Sequence, residues 1–148
     1  MPTATISTTS MITAGDYTLT IFGVSGSLSH SLSIPFIVES SQENIIVEAY
    51  AFNSGTNVTL DLRNVSTASV SLMSYNVTDS FGDMYYAATW NGPTISANSI
   101  GIGNILIGSS CGSACQVTGS PFTFTTGYTY TVTLVTSHNN QFPFSVKP

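Results

Sequence analysis

The segment at residues 57–82, NVTLDLRNVSTASVSLMSYNVTDSFG, decides the fold. Apolar side chains occupy every second position on either side of a short polar turn at residues 64–67, namely Val58, Leu60 and Leu62 before it and Val70 and Leu72 after it. A period of two is the pattern of half-buried strands, because successive side chains of a strand point to opposite faces. The segment therefore predicts two antiparallel strands and the corner that joins them.

The parity of this alternation changes at Met73, since Tyr75 and Val77 are the apolar positions that follow. An extra residue in one strand shifts the parity of all later side chains, so we expect either a β-bulge near Met73 or a strand that is covered on both faces.

The rest of the chain repeats the strand pattern. Alternating or aromatic stretches near residues 17–21, 28–38, 45–52, 84–90, 95–106, 128–134 and 142–146 are separated by turn-forming residues. Nowhere do apolar residues recur at a helical spacing for three turns. We predict an all-β fold in which residues 45–148 form an antiparallel β-sandwich, residues 39–44 form a polar linker, and residues 1–38 form a short, incomplete β unit.

The composition excludes some classes of function. Only 6% of the 148 residues are charged, against about a quarter in an ordinary soluble domain. The two basic residues, Arg63 and Lys147, cannot build a phosphate-binding surface, so nucleic acid is not an expected partner. No apolar stretch reaches the eighteen or so residues needed to span a membrane, and no signal peptide follows Met1.

A surface with so little charge needs another source of solubility, which glycans would supply. The chain has three sequons for N-linked glycans, at Asn57, Asn64 and Asn76. Chance occurrence in a Ser/Thr-rich sequence is the alternative interpretation.

The two cysteines lie in the Gly/Ser-rich loop SSCGSACQ, as Cys111 and Cys115. We expect a small disulfide ring, which indicates an oxidising, extracytoplasmic setting. The alternative is half of a metal site, but its remaining ligands would have to be His30 and His138, both distant in sequence. We therefore predict no metal and no cofactor, and treat His30 as a packed or rim histidine of its strand.

A short internal repeat bears on the architecture. The stretch YTLTI at residues 17–21 matches YTVTL at residues 130–134, and each follows a glycine and leads through a turn into a second apolar strand. The first copy lacks the strands that precede the second copy. Because two or three strands are marginal alone, residues 1–38 must bury their apolar face against residues 45–148, another subunit, or an upstream segment.

The stretch AGDYTLT at residues 14–20, followed by GVSGSLSHS at residues 23–31, resembles the closing strands of immunoglobulin-like repeats in archaeal surface proteins. The stretch NVTLDLRNVS at residues 57–66, with GYTYTV at residues 127–132, is similar to the β-sandwich headpiece of archaeal pilin-like proteins, although the pilin-type N-terminal helix is absent. The resemblance implies an immunoglobulin-like sandwich, and a structural tyrosine-corner role for Tyr17 and for either Tyr128 or Tyr130.

Our first functional hypothesis is a structural subunit of an extracellular archaeal filament, pilus-like or thread-like, or of a surface layer. Copies would assemble into a homo-polymer by β-strand complementation, because a missing strand leaves a groove that a neighbour can fill. The candidate donor strand is Thr3, Ala4, Thr5, Ile6, Ser7, Thr8 and Thr9. Its alternative interpretation is a disordered tail.

The second hypothesis is a secreted carbohydrate-binding or adhesion module, in which Tyr85, Tyr86 and Trp90 stack on sugar rings; packing of Trp90 between the sheets is the alternative. We expect no enzyme. Neither His30 nor His138 lies in a recognisable catalytic motif. The carboxylates Asp61, Asp79 and Asp83 occupy polar strand or turn positions, where solvated carboxylates are ordinary.

Overall fold

The computed structural model describes residues 15–38 and 42–148, so the candidate donor strand at residues 3–9 lies outside the described residues. The chain divides into two compact units, residues 1–41 and 42–148. Within the described residues every extended regular element is a β-strand, and all strand pairs are antiparallel.

The first unit contains a long hairpin of β1 (Gly15–Ser25) and β2 (Leu28–Val38). The two strands pair in one uninterrupted register, from Gly15 opposite Val38 to Ser25 opposite Leu28. Gly26 and Ser27 make the turn, and Gly26 has a φ of 61°, which glycine adopts without steric cost.

The second unit consists of two sheets. The smaller sheet has the order β3-β4-β8 and contains β3 (Ile45–Ser54), β4 (Asn57–Asn64) and β8 (Ile100–Leu106). The larger sheet has the order β11-β10-β5-β6-β9, with a short β7 also paired to β5. Its strands are β5 (Val70–Thr78), β6 (Met84–Ala87), β7 (Thr94–Ile95), β9 (Cys115–Thr118), β10 (Tyr130–Thr136) and β11 (Gln141–Val146).

The two sheets pack face to face as a β-sandwich around one core. The alternating residues of the segment that predicted the fold supply much of it, since Val58, Leu60 and Leu62 of β4 are completely buried. They meet the inward side chains of the larger sheet, which include Leu72, Tyr75, Val77, Val132 and Leu134. Each such side chain contributes about 1.5–3 kcal/mol by leaving water, so this core supplies the main driving force for folding of the sandwich.

The expected irregularity near Met73 is a β-bulge. On β10, the consecutive residues Val135 and Thr136 face Ser74 and Leu72 of β5, so Met73 is the extra residue. Its side chain is exposed, while Leu72 and Tyr75 both point into the core. The bulge explains why the apolar parity of the sequence changes at this position.

The cysteine loop is more ordered than the sequence indicates. Two 3-10 turns, Gly108–Ser110 and Gly112–Ala114, lead directly into β9, which pairs with β6 at the edge of the larger sheet. The sequence gives little sign of β9, because the strand has only four residues and its two strand formers, Val117 and Thr118, are exposed.

Candidate functional site

The most unusual surface of the described residues is one face of the β1–β2 hairpin. Cross-strand pairing places Tyr17, Leu19, Ile21, Leu28, Leu32, Ile34 and Phe36 on this side, which we call the hairpin face. Tyr17 and Phe36 stack with their ring centroids 5.8 Å apart. Despite such contacts the face is open to solvent, with Leu32 59% and Ile34 42% exposed. His30 lies on the same side, opposite Gly23, and is also exposed.

The hairpin also has two open edges, because no other strand of residues 15–38 and 42–148 pairs with it. In a hairpin closed by a two-residue turn the flanking pair, here Ser25 and Leu28, exchanges backbone hydrogen bonds, and hydrogen-bonded pairs then alternate with non-hydrogen-bonded ones. The backbone N–H and C=O groups of the alternate residues of β1 therefore point to its outer edge. These residues are Asp16, Thr18, Thr20, Phe22 and Val24.

The two edges are not equivalent as acceptors for another strand. The same alternation of hydrogen-bonded and non-hydrogen-bonded pairs applies to β2. Pro35, opposite Thr18, occupies a position whose backbone N–H would point to the outer edge of β2. Proline has no N–H to donate, so the edge of β2 offers an interrupted ladder. The edge of β1 offers an unbroken one. A strand that adds to this hairpin would therefore bind to β1.

The sandwich contains a hairpin of the same design whose outer edge is paired and whose apolar face is buried. Strands β10 and β11 pair as β1 and β2 do, and β11 likewise carries a proline, Pro143, on its outer side. In this second hairpin the outer edge of β10 is filled by β5, which pairs with it from Thr131 to Thr136. Its apolar face is covered by the smaller sheet, and Val132 and Leu134 are completely buried. By contrast, no strand of the described residues pairs with the outer edge of β1 as β5 pairs with that of β10.

The structure does not bring Tyr85, Tyr86 and Trp90 onto one exposed surface. Tyr85 and Tyr86 are neighbours in β6 and point to opposite faces, with Tyr85 buried. The ring of Trp90 packs edge-on against Tyr75 at 5.1 Å between centroids. Gly103 of β8 leaves room for it, since a Cβ there would lie 3.2 Å from the indole. One edge of Trp90 still lines a shallow surface depression beside Met73.

The three sequon asparagines differ in their surroundings. Asn57 and Asn76 are partly exposed, and Asn76 lies on the outer face of the larger sheet between Thr133 and Tyr86. Asn64 is completely buried, and its side-chain nitrogen donates to the carbonyl oxygens of Ala68 and Ile95 at 2.7 and 2.9 Å. A glycan on this nitrogen is incompatible with the fold, which corrects the expectation for Asn64. The expectation for Asn57 and Asn76 stays a prediction.

Cys111 and Cys115 are joined by a disulfide, with their Cα atoms 5.6 Å apart. The hydroxyl of Tyr75 lies beside it and bridges the two sheets, donating to the Leu106 carbonyl oxygen at 2.7 Å and accepting from the Leu106 N–H at 3.1 Å. Burial raises the pKa of the Tyr75 phenol, and its hydrogen bond to the Leu106 backbone offsets part of that rise. The disulfide and this phenol hold the cysteine loop against the core.

Glu43, just before β3, is a buried carboxylate that connects the start of the sandwich to the turn between β10 and β11. The sequence did not indicate this role. Glu43 falls in the predicted linker, yet it is buried and accepts hydrogen bonds from Thr136 Oγ1, from Asn140 Nδ2 at 2.8 Å, and from His138 Nδ1 at 2.7 Å. Burial alone raises the pKa of Glu43, but the hydrogen bonds and the charge of His138 together lower it below its ordinary value. The partners lie more than ninety residues away, so no local pattern reveals them.

Tyr130 makes the hydrogen bonds expected of a corner tyrosine. It is the first residue of β10, and its buried hydroxyl donates to the Thr123 carbonyl oxygen at 2.8 Å and accepts from the Thr125 N–H at 2.9 Å. Tyr128 is exposed instead. Of the two residues named from the resemblance, Tyr130 is therefore the one with this geometry.

No metal-binding cluster is present in the part of the chain that the structure describes. No group of three or more His, Cys, Asp or Glu side chains there is arranged to hold a metal ion. Asp79 accepts a backbone hydrogen bond from Phe81 within its own turn, and Asp83 accepts one from the N–H of Ser120, in the chain after β9. None of the described helices has the length and apolar character required to cross a bilayer.

The fold and these contacts define the class: an all-β protein of antiparallel sheets that comprises a sandwich and a separate two-stranded unit. No protein-family model matches the chain, and no curated protein is significantly similar to it in sequence.

Proposed function

We propose that this chain is a structural subunit of an extracellular archaeal filament or surface layer, and that copies of it assemble by β-strand complementation. The observation that carries the proposal is the comparison of the two hairpins. The β10–β11 hairpin is completed by β5, whereas the matching edge of β1 has no partner strand among the described residues. A strand from a second copy would occupy on β1 the place that β5 occupies on β10.

The hairpin face supports the same proposal. Two strands with a large exposed apolar face are marginally stable in water, and contiguous apolar patches of this kind mark interaction surfaces. A donor strand with alternating apolar residues would extend the sheet and cover part of the face. Because the donor and acceptor are different parts of the chain, each addition leaves a new acceptor edge, and the assembly grows as a fibre.

The strand order of the sandwich supports the immunoglobulin-like part of the proposal. In an immunoglobulin-like reading, the order β3-β4-β8 would correspond to strands A-B-E, and β11-β10-β5-β6 to G-F-C-C′. Tyr130, the first residue of β10, would then lie at the start of strand F, where immunoglobulin-like domains carry their corner tyrosine. The insertion of β9 between strands E and F is a departure from that scheme.

The extracellular setting is supported by the Cys111–Cys115 disulfide, since disulfides persist in oxidising compartments. The low charge content and the sequons at the partly exposed Asn57 and Asn76 point the same way. The archaeal origin rests on the resemblance of the sequence motifs alone.

A matched pair of proline substitutions tests the proposal. Thr20→Pro removes an outward N–H from the middle of β1, and Ser33→Pro removes the outward N–H of its cross-strand neighbour on β2. We expect negative-stain electron microscopy of the full chain to show filaments for the wild type and for Ser33→Pro, and none for Thr20→Pro. Monodisperse wild-type particles, or equal behaviour of the two variants, would contradict strand addition at β1.

The donor is tested separately by deleting residues 1–10. The truncated chain should not polymerise alone but should cap growing wild-type filaments, because it keeps the acceptor edge of β1. If the truncated chain forms filaments as the wild type does, the donor is not this segment.

A further inference from the structure

A second surface, at one end of the sandwich, has the features of a small-molecule site. It is a cleft of about 330 Å³ between the turn at residues 79–83 and the loop at residues 122–130. All the described residues that line it belong to the sandwich unit, and a ligand could bind there whether or not the chain assembles.

Two aromatic rings stand over this cleft. Phe81 is 78% exposed and Tyr128 is 47% exposed, and their ring centroids are 6.3 Å apart with a tilt of 48° between the planes. Phe122 also lines the cleft, stacked on Tyr130 beneath. A single exposed aromatic needs no explanation, but a pair that flanks one depression forms a contiguous apolar patch.

The turn that carries Phe81 is held in place by its own hydrogen bonds. Asp79 Oδ1 accepts from the N–H groups of Phe81 and Asp83, at 2.8 and 3.0 Å, and Gly82 has a φ of 90°. Asp83 Oδ1 in turn accepts from the Ser120 N–H at 2.9 Å, which ties this turn to the chain leading into the opposite loop.

The loop that carries Tyr128 is fixed in a similar way. The Tyr130 hydroxyl bridges the backbone of Thr123 and Thr125, and the Tyr128 N–H donates to the Thr125 carbonyl oxygen at 3.3 Å. Both rings are thus presented by ordered backbone. Presenting them in this way reduces the entropy that a ligand would lose on binding.

The polar groups of the cleft indicate what it would bind. Asp79, Ser80, Thr123 and Thr125 line it beside the rings, so hydroxyl and carboxylate oxygens alternate with aromatic surface. Among the described residues, Asp79 is the only charged one that lines the cleft, and neither Arg63 nor Lys147 contributes to its lining. An anionic ligand would meet a carboxylate and no compensating positive charge.

We propose that this cleft binds a neutral oligosaccharide. The C–H face of a pyranose ring is apolar and weakly positive, and it complements the negative π-face of an aromatic ring. The sugar hydroxyls would hydrogen-bond to the oxygens of Asp79, Ser80, Thr123 and Thr125. This places the carbohydrate contact at Phe81 and Tyr128, and not at Tyr85, Tyr86 and Trp90.

The test uses the full chain and four neutral hexasaccharides: maltohexaose, cellohexaose, mannohexaose and chitohexaose. We expect at least one of them to bind with millimolar or tighter affinity in calorimetry, and to shift amide NMR signals in residues 79–83 and 122–130. Phe81→Ala and Tyr128→Ala should each weaken this binding by about tenfold or more, as central aromatic contacts do at recognition surfaces. Tyr128→Phe keeps the ring and should stay within about threefold of the wild type.

Phe22 provides a matched control, because it is 75% exposed but lies on the hairpin, so Phe22→Ala should bind as the wild type does. Three results would overturn the proposal. The first is that none of the four sugars binds. The second is that the shifts cluster around Trp90. The third is that the Phe81 and Tyr128 variants alter self-association while leaving sugar affinity unchanged.

Discussion

At the scale of single residues, Asn64 belongs to a glycosylation sequon but has a structural role inside the fold. Its side-chain oxygen accepts from the Ser66 N–H at 2.9 Å, and its nitrogen donates to carbonyl oxygens of Ala68, Ile95 and Ser96. One amide therefore joins the end of β4 to the turn after it and to the end of β7. The sequon Asn64-Val65-Ser66 arises because the serine also takes part in this cluster.

The substitution Asn64→Asp tests this role. It replaces the donating nitrogen by an oxygen that faces buried carbonyl oxygens, which should lower the free energy of unfolding by about 3 kcal/mol. Urea denaturation of the unglycosylated chain measures the change. Asn76→Asp, at a partly exposed position, is the control and should cost less than about 1 kcal/mol. Equal losses in the two variants would contradict the structural role of Asn64.

Glu43 predicts a pH dependence of stability. Its pKa in the folded chain lies below the ordinary value of about 4.3, so the folded state favours the ionised carboxylate. The resulting stabilisation is complete above that ordinary value, and it is lost as the pH falls through the lower pKa of the folded state.

We therefore expect the urea midpoint of the wild type to fall as the pH is lowered below about 4.5. The Glu43→Gln variant should be less stable at neutral pH and should show a flatter profile over the acidic window. Thr136→Val, which removes one hydrogen-bond donor to Glu43, should lie between the two. Parallel profiles for the wild type and Glu43→Gln would show that this carboxylate does not contribute.

At the scale of elements, the hairpin face makes a prediction about assembly. Ile34 and Ser33 are neighbours on β2 whose side chains point to opposite faces. If the hairpin face is buried between copies, Ile34→Ser removes one buried apolar side chain, which is worth about 1.5–3 kcal/mol of association free energy. The critical concentration for assembly should therefore rise by about tenfold or more. Sedimentation at graded concentrations measures this value. Ser33→Ala is the control and should leave it unchanged, whereas equal effects would contradict burial of this face.

Strand positions and the bulge could be predicted from the sequence because they follow local rules. Alternation of apolar residues located β4 and β5, and the change of parity at Met73 located the bulge. Pro35 likewise indicated an edge strand, and β2 has an open edge on that side among the described residues. These features depend only on the period of two along a strand.

Other features could not be predicted, since they depend on residues far apart in sequence. The Glu43 cluster joins positions more than ninety residues apart, and the burial of Asn64 depends on carbonyl oxygens more than thirty residues away. The aromatic pair of Phe81 and Tyr128 is formed by two different turns. The sequence instead drew attention to Tyr85, Tyr86 and Trp90, because they are close along the chain. In the structure, alternation along β6 places Tyr85 and Tyr86 on opposite faces, and Trp90 packs against Tyr75.

At the scale of the whole molecule, the chain combines a complete sandwich with an incomplete hairpin. The sandwich has a buried apolar core, built from inward side chains of both sheets, and a disulfide. The hairpin has exposed apolar side chains and an edge with which no other described strand pairs. In the proposed assembly, the open edge of the hairpin would connect one copy to the next, and the sandwich would form the body of each subunit.

The central claim is tested most directly by hydrogen exchange at the backbone amides of β1 in the assembled full chain. Samples are exchanged in the assembled state, quenched, dissolved and read by NMR. The inward amides of Leu19 and Ile21 pair with β2, and the outward amides of Thr18, Thr20 and Phe22 point to the open edge. We predict that assembly protects the outward amides as strongly as the inward ones, because a donor strand occupies the edge. Outward amides that exchange equally fast in assembled and dissociated chains would contradict strand complementation at β1.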